Sequence, residues 1–425
     1  LCTGRHTLDD NQCTEHRLQT ASNILCARCE ERYVAFNGPC VECTSINWLL
    51  VISSVFATAV ALVVLRLLVR RAGSQLTKVL LFFASTARVI TQRNDILAQI
   101  LSILDWNAAA TGFCVGPFSA HERLRIGLLA PLLPWFLLPL LAAVHIFFSS
   151  KEKRRDTLRS WLRTALALLL FSFSTISTAL LDSFNCVDVA VGSEGASVLW
   201  SDPEVDCRDS TYKAWRSAAT IALALAASFP VLLLALLIYW KRTDKLDNDD
   251  GFKSVFGIVT ETYSADRYWF EPIALTRRLL LTTVSVFLWQ NYELRLLVLA
   301  VVLLAFAVLN ILALPFATNR ANVLEAVSLV SLAIVAILEG ATIDAPTASQ
   351  APLMAARIAL AVVTFAVIAA FLANDLCSKK TSSESAGDNS RQRLLDDMDD
   401  DLRSDSFRMQ DMSSARRSRR GGIQS

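Results

Sequence analysis

The chain has 425 residues, of which 53% are hydrophobic and 19% charged, with a net charge of +2. A mean hydropathy of +0.42 lies above the range of water-soluble domains, and so balanced a charge argues against nucleic acid as a partner. The solvent that fits this composition is a lipid bilayer.

The sequence opens at Leu1 rather than at a Met, and a signal peptide or a longer ectodomain is expected upstream. Cys2, Cys13, Cys26, Cys29, Cys40 and Cys43 all precede the first long apolar stretch. Cys26 and Cys29, then Cys40 and Cys43, form two Cys-x-x-Cys pairs. Four thiolates at that spacing can hold zinc. The two further cysteines upstream and a non-cytosolic compartment favour disulfides. Residues 1–46 are therefore read as a small extracellular cysteine-rich module.

A hydrocarbon layer about 30 Å thick requires roughly 20 apolar residues in a helix, because every backbone polar group must be satisfied within the segment. Eight stretches meet this: Trp48 to Leu68, Ile126 to Phe148, Trp161 to Leu181, Ala218 to Trp240, Ile273 to Trp289, Leu296 to Leu314, Val323 to Ile343 and Leu353 to Leu372. Leu76 to Leu104 is a weaker ninth, since Arg88, Gln92, Arg93, Asn94 and Asp95 interrupt it; it is read as Leu76 to Ile90 plus a polar continuation. Basic residues then decide the orientation. Arg66, Arg70 and Arg71 follow the first span, Lys151, Lys153, Arg154 and Arg155 the third, Lys241, Arg242 and Lys245 the fifth, and Lys379 and Lys380 the last. Counting nine spans puts all four clusters in the cytosol, with the N-terminus outside and the C-terminus inside.

Nine of the ten cysteines fall on the predicted outside; Cys377 is the exception. Cys186 and Cys207 share one loop with Asp182, Asp188, Glu194, Asp202, Glu204, Asp206 and Asp209, which predicts a small acidic cap closed by a bridge. The fold class expected is all-α, a polytopic transmembrane bundle over residues 47–375 with a disordered cytoplasmic tail over 376–425. That tail alternates acidic and basic blocks and has too few apolar residues to build a core.

Within the spans, the polar residues carry the functional signal. Glu271 lies at the positive end of a helix opened by Pro272, while Arg277 and Arg278 follow about 8 Å further in and must snorkel or find a carboxylate. Glu325, early in the eighth span on the same side, is the expected partner. Asn310 and Glu339 are further polar positions, with Glu339 placed near the outer face where water would solvate it. Ser174, Thr178 and Asp182 recur every four residues and share one helix face, either lining a polar path or bonding a neighbouring helix. No His, Cys and carboxylate cluster has catalytic spacing, and His6, His16, His121 and His145 are scattered, so neither an enzyme nor a bound cofactor is expected.

The stretch from Cys26 to Cys43, with Tyr33 and Gly38 between the cysteine pairs, resembles the last repeat of extracellular EGF-like or ephrin-receptor-like modules. With the string from Tyr268, Trp269, Phe270 and Glu271 to Arg277, Arg278, Leu279 and Leu280, and the later Pro315, Asn322, Glu325, Ser328 and Leu329, the chain from Cys26 to Ala373 is similar to a family of large protist membrane proteins. These carry cysteine-rich repeats ahead of a transient-receptor-potential-like multi-span region. That resemblance implies a cation channel or transporter with an extracellular sensing module, partnered by the bilayer, by cations and by an extracellular ligand. The chain departs from a tetrameric channel at the short interval from Asp344 to Pro352, which leaves little room for a re-entrant pore helix and filter. The other reading is a cell-surface receptor or adhesion protein that signals through its tail without conducting.

Overall fold

The computed structural model describes residues 15–19, 23, 26–35, 40–71, 74–90, 114–191, 194–344, 352–371 and 373–374. Cys2 and Cys13, the polar continuation after Ile90, the interval 345–351 and the tail with Cys377 lie outside the described residues. Residues 1–369 form one compact unit, and 370–425 fall in a second.

Helix α1 (Trp48–Arg71) begins where the Asn47 side chain accepts the Leu50 N–H, which satisfies one of the orphan donors of the first turn. Its 24 residues rise about 36 Å, enough to cross a hydrocarbon core. Helix α2 (Ser74–Ile90) follows. The next span is not one regular helix. Helix α3 (Ala120–Leu129) starts with a Ser119–Glu122 capping box, and a single 3₁₀ turn at Ala130–Leu132 joins it to α4 (Leu133–Phe148). Pro131 and Pro134 lack the N–H groups that would continue a regular α-helix there. Helices α5 (Arg154–Asp182) and α6 (Ser210–Arg242) are the longest, at 29 and 33 residues. A short α7 (Asp250–Thr260), capped by Asp249, packs Phe252 and Phe256 against Trp240. Helices α8 (Phe270–Phe287), α9 (Tyr292–Ala313), α10 (Asn319–Asp344) and α11 (Pro352–Phe371) complete the unit. Helix α9 stops at Leu314, which adopts the left-handed conformation (φ 42°) just before Pro315, a residue that cannot prolong a helix.

Seven of these segments are long and apolar enough to cross a membrane: α1, α3 with α4, α5 with its preceding turn, α6, α9, α10 and α11. Helix α2, at 17 residues, is too short by that test, and α8, at 18 residues, carries Glu271, Arg277 and Arg278. Leu49, Phe148 and Leu312 present their side chains outward, as the apolar exterior of a membrane bundle requires. Two apolar cores lie within. One gathers Phe82, Phe83, Leu299, Leu303 and Leu332 around α10; the other gathers Leu62, Leu168, Leu237 and Leu275 around α5.

Two hairpins depart from the expected all-helical architecture. Strands β1 (Tyr33–Ala35) and β2 (Cys40–Glu42) pair antiparallel in the N-terminal module. Strands β3 (Cys186–Val191) and β4 (Glu194–Leu199) make a six-pair ladder from Cys186 opposite Leu199 to Val191 opposite Glu194. The alternation Val187, Asp188, Val189, Ala190, Val191 is a strand pattern, so the acidic loop is an ordered hairpin. Arg123 of α3 holds it by ion pairs to Asp202 and Glu204. Burial pushes the Asp202 carboxyl up, against the pull of that guanidinium.

The cystines concentrate at one end of the unit. Cys29 is bonded to Cys40, Cys43 to Cys114 and Cys186 to Cys207. The two Cys-x-x-Cys pairs therefore do not converge on one centre: Cys43 leaves the module and ties it to the segment ahead of α3. Cys26 is also disulfide-bonded. At the same end Trp289, after α8, stacks on Trp200 after β4 at 3.4 Å between ring centroids and donates to Asn185. At the other end sit Arg66, whose guanidinium lies over Trp161 and meets His145, and the basic start of α5.

Candidate functional site

Five buried charged residues, Lys78, Glu271, Arg277, Arg278 and Glu325, meet at the basic end of the unit, between α2, α5, α8 and α10. The approach to α8 sets the geometry. Tyr263 bridges to Phe316, and the Ser264 N–H donates to the Pro315 carbonyl, so the start of α8 is pinned to the turn between α9 and α10. Asn322 secures the same turn by accepting from the Phe316 N–H and donating to the Phe316 carbonyl, and Asn310 donates to the Asn322 carbonyl. Buried backbone groups that a sharp turn would leave unpaired are thus satisfied by amide side chains.

Glu271 is 1% exposed in the first turn of α8. Its Oε2 accepts from Lys78 Nζ at 2.6 Å and from the Tyr263 hydroxyl at 2.8 Å. One helical turn and a half deeper, Arg277 and Arg278 point to different neighbours, because consecutive residues diverge by about 100° around a helix. Arg277 Nη2 donates to Glu325 Oε1 at 2.6 Å, and its guanidinium stacks 3.9 Å from the Phe82 ring centroid. Arg278 turns to α5 and donates through Nη1 to the Leu170 carbonyl at 2.6 Å. Its Nε has no hydrogen-bond partner. Thr282 and Ser174 border the small cavity beside it.

Of the residues singled out by sequence, Glu271, Arg277, Arg278 and Glu325 come together here, joined by Ser174. Glu325 serves Arg277 alone, not both arginines. Thr178 lies elsewhere on α5 and donates to the Ser174 carbonyl of its own helix, while Asp182 sits half-buried at the cystine end of that helix. Cys26, Cys29, Cys40, Cys43, Cys186 and Cys207 are likewise at the far end. Among the described residues, no group of His, Cys, Asp and Glu has the geometry of a metal site.

Glu339 corrects a sequence-based expectation. It is fully buried rather than solvated, and it pairs with Arg357 of α11 and accepts from Tyr292 of α9 at 2.8 Å. A charge there lies among three helices and is retained because a cation compensates it. Sequence reasoning also missed Lys78, Tyr263 and Arg357. Lys78 stands at the head of the apolar run from Val79 to Ala84, and that position is the signal that would have found it.

Helix α8 organises the cluster through its period. Glu271, Leu275 and Arg278 fall on one face, and the intervening Pro272 is accommodated in the first turn where no intrahelical N–H is needed. What the arrangement does physically is bind α2, α8 and α10 through ion pairs in a medium that screens them little, with α5 held by the Arg278 bond to the Leu170 carbonyl. No family profile, no curated protein and no solved structure matches this chain.

Proposed function

We propose that this multi-pass membrane protein crosses the bilayer nine times, N-terminus outside and C-terminus in the cytosol. It acts as a transient-receptor-potential-like cation channel or transporter in the plasma membrane, with its cysteine-rich module as an extracellular sensor. Two contacts support the count. The Cys43–Cys114 bond returns the chain to the side on which α1 began, so an even number of crossings separates those residues. The Trp200–Trp289 stack brings the end of α8 back to the side on which α6 began, so α8 makes a crossing despite its arginines. Disulfides at one end and basic residues at the other support this orientation.

A glycosylation acceptor inserted between Val191 and Glu194 is expected to be modified in microsomes, and one inserted at Thr243 is not. The opposite pattern would refute the orientation.

The observation that carries the functional reading is the buried cluster of Lys78, Glu271, Arg277, Arg278 and Glu325. Charges inside a membrane cost several kcal/mol each, which makes such residues candidates for ion pathways or switching elements. Here they join α2, α5, α8 and α10, so a shift of α8 would exchange one set of ion pairs for another, and such a bundle can hold two discrete packings. Tyr263→Phe removes one donor from Glu271 while leaving both ion pairs. The expected result in whole-cell recording, at equal surface expression, is a cation current in wild type and a shifted activation in the variant. Absence of current under voltage, stretch and calcium changes would favour the receptor reading instead.

A further inference from the structure

The cluster does not balance its charge. Lys78, Arg277 and Arg278 supply three cations, while Glu271 and Glu325 supply two carboxylates. Each carboxylate is already engaged at 2.6 Å by Lys78 or Arg277, and Arg278 is left with a backbone carbonyl. A guanidinium does not give up its proton in a protein, so its charge stays. An uncompensated charge in a low-dielectric interior is among the most costly arrangements a fold can contain.

The space beside Arg278 is suited to compensate it. Ser85, Thr86, Ser174, Leu281 and Thr282 enclose, with Arg278, a cavity with room for about one water-sized occupant. The Arg278 side chain is more than nine-tenths buried, and its Nε is unpartnered. Ser85 and Thr282 direct their protons to backbone carbonyls of their own helices. Thr86 and Ser174 have no such bond among the described residues, so their hydroxyls remain as donors to an occupant. A guanidinium N–H and two hydroxyls free to donate therefore face one small void.

We propose that a small monovalent anion of the halide class occupies this cavity and neutralises Arg278. It acts as a structural counter-ion that locks α8 against α2 and α5. The size of the void selects against a lipid phosphate or a carboxylate. The proposal stands apart from the channel reading, since it concerns charge balance and not permeation.

The test is thermal unfolding of the full chain, purified in detergent, in sodium chloride or sodium bromide against sodium gluconate at constant ionic strength and pH. The expected result is a saturable rise in Tm of about 1.5 °C at an anion concentration ten times Kd. Arg278→Gln should abolish the rise. Ser174→Val fills the cavity without touching an ion pair and should abolish it too, which keeps the test decisive if Arg278→Gln fails to fold. Equal Tm in halide and gluconate would overturn the proposal, leaving the cavity to water. A halide shift that survives Ser174→Val would overturn it as well, because the anion would then bind elsewhere.

Discussion

Replacing Glu325 by Gln is expected to destabilise the folded bundle by about 3–5 kcal/mol, because Arg277 would keep its charge and lose its partner in a dry interior. The carboxylate is 3% exposed and the guanidinium is held over Phe82, so neither group can reach water without moving α8 or α10. Arg277→Met combined with Glu325→Met should recover most of that loss, since a neutral pair of similar volume leaves no charge uncompensated. Thermal unfolding in detergent measures both. If the double variant is as unstable as Glu325→Gln, the pair contributes through packing and not through charge. The same reasoning distinguishes the cluster from surface pairs such as Arg163 with Glu261, whose members reach solvent and contribute little.

The second large effect is expected at Cys43 and Cys114. The bond closes a loop with a sequence separation of 71, for which the chain-entropy relation gives a stabilisation of about 4 kcal/mol. That figure is an upper value, because helices already inserted in a bilayer restrict the unfolded chain. Cys43→Ser with Cys114→Ser should lower Tm and also release the module from the segment ahead of α3, where Asn47 N–H donates to the Val115 carbonyl. Limited proteolysis between β2 and α1 should then become faster. Unchanged cleavage and unchanged Tm would mean that the backbone contact alone holds the junction. The Cys29–Cys40 bond, with a sequence separation of 11, should matter less by the same relation.

The ion pairs explain how a chain so apolar keeps a specific arrangement of helices. Apolar faces pack against one another or against lipid with similar ease, so hydrophobicity alone does not choose neighbours inside a membrane. Buried pairs do choose. Lys78 selects α8 for α2, Glu325 selects α8 for α10, and Glu339 selects α11 and α9 for the other end of α10. Helix α10, the most enclosed of the candidate spans, carries a buried carboxylate near each end.

Hydropathy and length were enough to find from sequence the seven apolar helices long enough to cross a membrane, because a 3.6-residue helix in a layer of fixed thickness demands a run of fixed length. The same reading located Arg277, Arg278, Glu325 and Glu271 as residues out of place in such runs, and it placed Cys186 and Cys207 in one loop. What the sequence did not contain was any distance between segments.

Lys78 and Glu271 are 193 residues apart, and Arg278 and Leu170 are 108 apart, so only the packing of helices decides that they touch. The solvation of Glu339 reversed for that reason: its depth along α10 was legible, but the arrival of Arg357 beside it was not. The crossing of Cys43 to Cys114, in place of a closed four-cysteine module, was set by where α2 returned the chain. Sequence by itself determined which segments leave water, because that is a property of each segment's own surface. Tertiary structure alone decided which charges are paired, because an ion pair is a property of two segments brought within about 3 Å, and no local pattern encodes that meeting.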